Sequence, residues 1–114
     1  MLDTLLYPKS IAVIGASRTP GKVGHDILAN LLAAGFGGTI VPVNPAGGSI
    51  LGCNCLPRLE GEGLSIDLAI IAVPPTVVLA AAESAIAAGA RAMVVITAGF
   101  KESGPDGAEL ELIP

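Results

Sequence analysis

Short runs of β-branched and other apolar residues alternate along the chain with segments of mixed polarity. These runs cover residues 11–14, Thr39–Val43, 67–73 and 92–97. Because each run is apolar at nearly every position, we predict strands that are buried on both faces of a sheet.

Two of the segments between these runs have the pattern of amphipathic helices. Residues 22–34 carry apolar residues at helical spacing, and Gly35 follows where a left-handed cap commonly ends a helix. Thr76 is a candidate cap for a second helix that runs to Ala88 and ends before Gly89. The alternation of strands and helices predicts the α/β fold class, with a Rossmann-like open parallel sheet and helices on both faces.

The last part of the sequence predicts the start of a third helix. Asp106 and Glu109 have the spacing of a helix capping pair, and the sequence ends at Pro114. Since a doubly wound domain normally continues beyond this point, we expect residues 1–114 to form one domain that is truncated at its C-terminus. The chain is then the N-terminal fragment of a larger protein.

The composition is that of one small globular domain. The 114 residues are 52% hydrophobic, 14% charged and only 3% aromatic, so Val, Ile, Leu and Ala have to build the core. A net charge of −4, without a basic stripe, argues against nucleic acid as a partner. Pro74 and Pro75 interrupt the longest apolar stretch, and the N-terminus lacks a signal-peptide pattern. We therefore expect no membrane partner and a cytoplasmic location.

The cysteines and the single histidine give little indication of chemistry. Cys53 and Cys55 are separated by one residue, so in an extended segment their side chains point to opposite faces and a mutual disulfide is awkward. His25 is the only histidine, which leaves a metal ion too few ligands. We predict no metal site, and we predict that both cysteines act as small apolar residues.

The loop between the first predicted strand and the first predicted helix is the most informative segment. Residues 15–24 have the sequence Gly-Ala-Ser-Arg-Thr-Pro-Gly-Lys-Val-Gly. Glycine allows a ligand to approach the backbone closely, and the helix N-terminus offers unpaired N–H groups to an anion. Ser17 adds a hydroxyl group, while Arg18 and Lys22 add two of the six cationic side chains. We therefore predict a phosphate-binding loop.

The spacing of the glycines argues against a dinucleotide such as NAD. The dinucleotide pattern is G-x-G-x-x-G, whereas this loop has five residues between Gly15 and Gly21. An acidic residue usually follows the second strand and binds the ribose, but here that residue is Asn44. An NAD(P)-binding oxidoreductase domain is kept as the weaker alternative.

Several segments together resemble the N-terminal CoA-binding domain of nucleoside-diphosphate-forming acyl-CoA synthetases. These proteins are related to the α subunit of succinyl-CoA synthetase and include the ADP-forming acetate–CoA ligases. The resemblance covers nearly the whole chain. It is carried by residues 6–18 (LYPKSIAVIGASR), 21–24 (GKVG), 41–45 (VPVNP), 50–52 (ILG), 67–74 (DLAIIAVP) and 96–102 (ITAGFKE).

This resemblance implies that coenzyme A is the ligand and that it lies along the carboxyl ends of the strands. The glycine loop would hold the CoA phosphates, the segment after the second strand would line the nucleotide, and the segment after the fourth would approach the thiol. The implied binding residues are Gly15, Ala16, Ser17, Arg18, Gly21, Lys22, Val23, Gly24, Val43, Asn44, Pro45, Val73, Pro74, Pro75, Thr97, Ala98, Gly99 and Phe100. Some relatives carry a lysine where this chain has Ala46-Gly47-Gly48.

The resemblance also implies a function for the parent protein. The family converts acyl-CoA, nucleoside diphosphate and phosphate to acid, CoA and nucleoside triphosphate, in either direction, through a phosphohistidine on a later domain. His25 does not correspond to that histidine, so no catalytic residue is assigned here. The expected partners are the downstream ligase domains, in the same chain or in a partner subunit. A CoA-binding regulatory domain of a fused acetyltransferase, or a CoA sensor, is the alternative.

Overall fold

A sheet of five strands forms the centre of the molecule. The computed structural model describes residues 7–59, 63, 65–98 and 108–113. Residues 97, 98 and 108–113 are described by their backbone alone. The strands are β1 (Ser10–Ile14), β2 (Thr39–Val43), β5 (Leu68–Ile71), β6 (Ala92–Ala98) and β7 (Ala108–Ile113), while β3 and β4 form a separate hairpin described below. The order across the sheet is β2-β1-β5-β6-β7, and β1, β2, β5 and β6 run parallel.

The strand register brings the carboxyl ends of the parallel strands to one edge. Ile14 lies opposite both Val43 of β2 and Ile71 of β5, and Ile71 lies opposite Val95 of β6. The loops that follow these strands therefore start at the same level. In open α/β sheets this edge is where ligands bind.

Two helices pack on opposite faces of the sheet. Leu28 of α1 (Val23–Ala33) is fully buried in the same cluster as Ile11 and Val13 of β1. On the other face, Ala81 and Ala85 of α2 (Val78–Ala87) lie in a second cluster. Because side chains alternate between the faces of a strand, β1 supplies Ile11 and Val13 to one cluster and Ala12 and Ile14 to the other. The predicted α/β class, with a parallel sheet and helices on both faces, is confirmed.

The connection after β2 contains a small antiparallel hairpin. Its strands are β3 (Ser49–Ile50) and β4 (Cys53–Asn54), and Leu51 and Gly52 turn between them with φ of 51° and 82°. Gly35 also has a positive φ of 74°, which confirms it as the residue that ends α1.

The start of the second helix differs from the prediction. Thr76 does not cap it, because Pro75–Val77 form a 3₁₀ turn and Val77 takes the N-cap position without a side-chain cap bond. Proline at the first position of a helical turn has a suitable φ and no N–H that needs a partner. The Pro74-Pro75 pair therefore starts the turn before Thr76 can serve as a cap.

The predicted third helix is also wrong. Ala108–Ile113 form strand β7, which pairs antiparallel with β6 and places Glu109 opposite Thr97. The sequence Ala-Glu-Leu-Glu-Leu-Ile has apolar and acidic residues at alternate positions over most of its length, and this period of two favours a strand. The capping-pair spacing of Asp106 and Glu109 is the weaker signal.

Candidate ligand site at the carboxyl ends of the strands

The loop after β1 turns sharply against β2 and β5. The N–H groups of Gly15 and Ala16 both donate to the carbonyl oxygen of Val43, at 3.1 and 3.2 Å. Gly15 has φ of 97°, and a Cβ at this position would lie 2.2 Å from the carbonyl oxygen of Ala72. Glycine is therefore required by both conformation and space.

Helix α1 begins in direct contact with this turn. A Cβ on Gly24 would lie 1.9 Å from the carbonyl oxygen of Gly15, so the absence of a side chain lets the helix start against the end of β1. Gly21 has φ of 93° with open space around it. The glycines at 15, 21 and 24 thus have separate structural roles, and together they bring a helix N-terminus to the edge of the sheet.

The start of α1 presents backbone N–H groups that no capping side chain occupies. Lys22 is the N-cap residue and its side chain makes no cap hydrogen bond. The first-turn N–H groups of Val23, Gly24 and His25 have no acceptor within the helix. Asp26 accepts a hydrogen bond from the N–H of Gly21 at 3.3 Å, which places one carboxylate beside these donors.

The polar side chains of the loop are partly engaged. Ser17 Oγ accepts from the N–H of Thr19 at 3.0 Å and keeps its own hydroxyl proton for a ligand. Arg18 donates to the carbonyl oxygen of Gly47, which connects this loop to the one that follows β2. A guanidinium has five N–H donors, so Arg18 can hold Gly47 and still bind a phosphate. Lys22 is exposed at the mouth of the loop.

His25 has a structural role that the sequence did not indicate. Its Nδ1–H donates to the carbonyl oxygen of Ser17 at 2.9 Å, and the ring is half-buried. The imidazole therefore holds the glycine loop of residues 15–24 against α1. The spacing of eight residues between His25 and Ser17 is not a recognised local pattern, and only the fold brings the two together.

Asn44 connects the same two loops through both ends of its side-chain amide. Its Nδ2 donates to the carbonyl oxygen of Ala16 at 2.8 Å, and its Oδ1 accepts from the N–H of Ala46 at 2.8 Å. A dinucleotide site needs an acceptor at this position that points to the ribose hydroxyls. Asn44 instead organises the backbone of the loop that follows β2.

A pocket of about 310 Å³ opens beside Gly15 on the face that α2 covers. Five predicted or adjacent strand-end residues line it: Ile14, Gly15, Val43, Pro45 and Val73. The sequence prediction missed the opposite wall, which consists of Pro57, Arg58, Val77, Ala80, Ala81 and Ser84. These residues come from the connection after β4 and from the start of α2, and no local motif marks them. The volume is at the lower end of the range of small-molecule sites.

The remaining predicted site residues lie at the same edge or outside the described part. Pro74 and Pro75 follow β5 and do not line the pocket. Thr97 and Ala98 end β6, where only their backbone is described. Gly99 and Phe100 lie outside the described residues, so their assignment stays a prediction.

A larger apolar cavity of about 740 Å³ lies at the opposite edge of the sheet. Lys9, Ile11 and Leu68 line it where β1 and β5 begin, together with Phe36 and Gly38 from the loop before β2. None of the glycine-loop residues reaches this cavity. We place the candidate site at the carboxyl edge, because the backbone donors and the cationic loop are there.

Both cysteines are free thiols, Cys53 in strand β4 of the hairpin and Cys55 directly after that strand. Burial raises the pKa of the Cys55 thiol, although the nearby Arg18 guanidinium and a backbone hydrogen bond from Asn44 oppose the rise. Cys55 is thus held as a neutral, buried thiol beneath the loop that Arg18 contacts. Over the described ranges, no group of three or more His, Cys, Asp or Glu residues could hold a metal ion. Neither described helix has the length and apolar character needed to cross a membrane.

Comparison with known proteins identifies similar sequences. Residues 9–109 match the protein family described as CoA binding domain. The chain is 46% identical over 110 residues to the ADP-forming acetate–CoA ligase II of Archaeoglobus fulgidus, a match that covers 96% of this chain. It is 39% identical over 114 residues to the α subunit of the ADP-forming acetate–CoA ligase I of Pyrococcus furiosus, again over 96% of this chain. The chain spans only 16% and 25% of the lengths of these two relatives.

A solved structure has the same fold. It is the dinucleotide-forming acetyl-coenzyme A synthetase 1 of Ca. Korarchaeum cryptofilum in complex with phosphate and ADP, with a TM-score of 0.82 and 42% sequence identity. The similarity covers 92% of this chain and 23% of that chain.

Proposed function

Because this chain belongs to the family of CoA binding domains, we propose that it binds coenzyme A at the carboxyl ends of β1, β2 and β5. The observation that supports this most is the contact between Gly24 and Gly15, which brings the uncapped N-terminus of α1 against a residue that lines a ligand-sized pocket. A pyrophosphate needs such donors, and an adenine ring needs the apolar walls next to them.

The proposed binding mode follows from the order of these features along the edge. The phosphates lie at Gly15–Gly24 and contact Ser17, Arg18 and Lys22. The adenosine occupies the pocket beside Val43, Pro45 and Val73, while Asn44 holds the loop. The pantetheine arm extends across the ends of β5 and β6, past Pro74 and Thr97, towards the thiol end near Gly99 and Phe100.

We further propose that the chain is the N-terminal part of an ADP-forming acid–CoA ligase. The chain covers only a small share of the length of its relatives, and the names of these relatives state an ADP-forming acetate–CoA ligase activity. One of these relatives is a separate α subunit. In this proposal the chain holds and orients CoA, and its partners are downstream ligase domains in the same chain or in another subunit. An amide at Asn44, where a dinucleotide site usually has a carboxylate for the ribose, supports CoA over NAD as the ligand.

We expect that changing both Arg18 and Lys22 to Ala weakens CoA binding by at least about tenfold. Two cations at the phosphate loop are removed, and one charge-assisted hydrogen bond contributes about 1.5–3 kcal/mol. Calorimetric titration of the chain with CoA measures the change in Kd.

The control is the double variant Lys9→Ala/Arg91→Ala, which has the same net charge. Both residues lie at the amino edge of the sheet, before β1 and β6 respectively. This control should bind CoA almost as the unchanged chain does. If both double variants lose the same affinity, net charge explains the loss and the phosphate loop does not.

A further inference from the structure

The pocket beside Gly15 has one charged side chain in its lining, and no part of the glycine motif supplies it. That side chain is Arg58, which shares the pocket with Gly15, Pro45 and Val77. The remaining lining residues are apolar except for Ser84. An arginine in the lining of an apolar pocket that also includes Gly15 of the glycine loop fits a ligand that carries negative charge at two separated points.

The position of Arg58 is fixed from both sides. Leu56 forms a parallel bridge with Val43, its N–H donates to the carbonyl oxygen of Pro42 at 3.0 Å, and its carbonyl oxygen accepts from the N–H of Asn44 at 2.9 Å. Leu59, directly after Arg58, is only 1% exposed and belongs to the core. Arg58 therefore lies between a residue bonded to the end of β2 and a residue of the core, while its own side chain is exposed at the pocket.

Arg58 is also available to a ligand. Within the described residues it forms no ion pair and no side-chain hydrogen bond, whereas Arg18 is bonded to Gly47. The loop after β2 offers no cation of its own, since residues 46–48 are Ala-Gly-Gly. A negative group bound on the α2 face of the pocket would therefore meet Arg58.

We propose that Arg58 binds the 3′-phosphate of the CoA adenosine and so sets the preference for CoA over ligands without that group. This inference rests on the proposed function, because it takes the adenosine to lie in the pocket and the pyrophosphate at the glycine loop. CoA carries a phosphomonoester on the ribose 3′ oxygen in addition to its pyrophosphate. With the pyrophosphate at Gly15, the ribose lies between the loop and Arg58.

The test is a set of titrations of the chain with CoA and with dephospho-CoA, which lacks only the 3′-phosphate. The unchanged chain should bind CoA about tenfold or more tightly than dephospho-CoA. The variant Arg58→Ala should lose most of that difference, with its affinity for dephospho-CoA nearly unchanged. Arg58→Lys should recover part of the difference, because it keeps the charge without the planar fork. Arg91→Ala is the control, and circular dichroism verifies that each variant is folded.

Two results separate this inference from the function on which it rests. If the unchanged chain binds CoA, but Arg58→Ala weakens CoA and dephospho-CoA equally or neither, Arg58 does not read the 3′-phosphate and the inference is overturned alone. If the unchanged chain binds neither ligand, the proposed function fails and the inference fails with it. Tighter binding of adenosine 2′,5′-bisphosphate than of the 3′,5′ isomer would also overturn the inference.

Discussion

Replacing Gly24 with Ala is expected to destabilise the chain, although alanine is the better helix former. In an unhindered helix the change would add about 1 kcal/mol of stability. Here the new Cβ would lie 1.9 Å from the carbonyl oxygen of Gly15. Because this oxygen belongs to the backbone, no flexible side chain can move aside to relieve the contact. Overpacking costs about 1–3 kcal/mol, occasionally more, and a contact this short with a backbone oxygen lies at the upper end. After the gain in helix propensity is subtracted, we expect a net loss of about 2 kcal/mol in the free energy of unfolding.

Chemical denaturation of Gly24→Ala beside Gly37→Ala measures this effect. A Cβ on Gly37 would have no atom within 4 Å, and Gly37 has no positive φ, so that variant should stay close to the unchanged chain. Gly24→Ala should also bind CoA less well, because α1 must move away from the loop. A Gly24→Ala chain as stable as the Gly37→Ala chain would contradict the close approach of α1 to β1.

Replacing Leu28 with Ala is expected to have the other large effect. Leu28 is 0% exposed and is a buried member of the hydrophobic cluster between α1 and the sheet. Truncation of a buried leucine leaves a cavity and costs about 2–5 kcal/mol. For a domain of this size that is a large part of the total stability. The same denaturation measurement gives the loss.

Leu32→Ala provides the matched control on the same helix. Leu32 is 39% exposed, so the same truncation should cost well under half as much. Equal losses at both positions would show that α1 does not face the sheet as described. In that case α1 would also not support the glycine loop of residues 15–24 at the edge of the sheet.

The alternation of buried strands and amphipathic helices is enough to predict the four parallel strands of the sheet, because each of them, and each of the two helices, is marked by local residues. The sequence also predicts a loop at Gly15, Gly21 and Gly24, since a strand, a glycine-rich segment and a helix follow one another directly. Their separate roles become clear only in three dimensions, where Gly24 meets a carbonyl group nine residues earlier in the chain.

Other features could not be predicted because they depend on contacts between distant segments. Arg58 lies at the pocket because Leu56 pairs with the end of β2. No sequence pattern around Arg58 predicts that pairing. The tie between His25 and Ser17 likewise depends on the path of the loop. Strand β7 escapes prediction for a different reason, because the capping-pair spacing indicates a helix where the period-two pattern that follows it indicates a strand.

The charge distribution explains how an acidic chain can hold an anionic ligand. The net charge is −4, but three of the six Lys and Arg residues, Arg18, Lys22 and Arg58, lie at the carboxyl edge. Lys9 and Arg91 lie at the other edge. Local convergence of cations and helix N–H groups, rather than the total charge, decides where a phosphate binds.

Binding of CoA at the carboxyl edge can be tested by following the glycine amide shifts in ¹⁵N NMR spectra during a titration with CoA. The amides of Gly15, Gly21 and Gly24 report on the phosphate loop, whereas those of Gly37 and Gly38 report on the larger cavity at the amino edge. We predict large shifts for the first three and small ones for the other two. Binding at the carboxyl edge would be contradicted by shifts concentrated at Gly37 and Gly38. It would also be contradicted if no shifts appeared at CoA concentrations well above the Kd of a typical binding site.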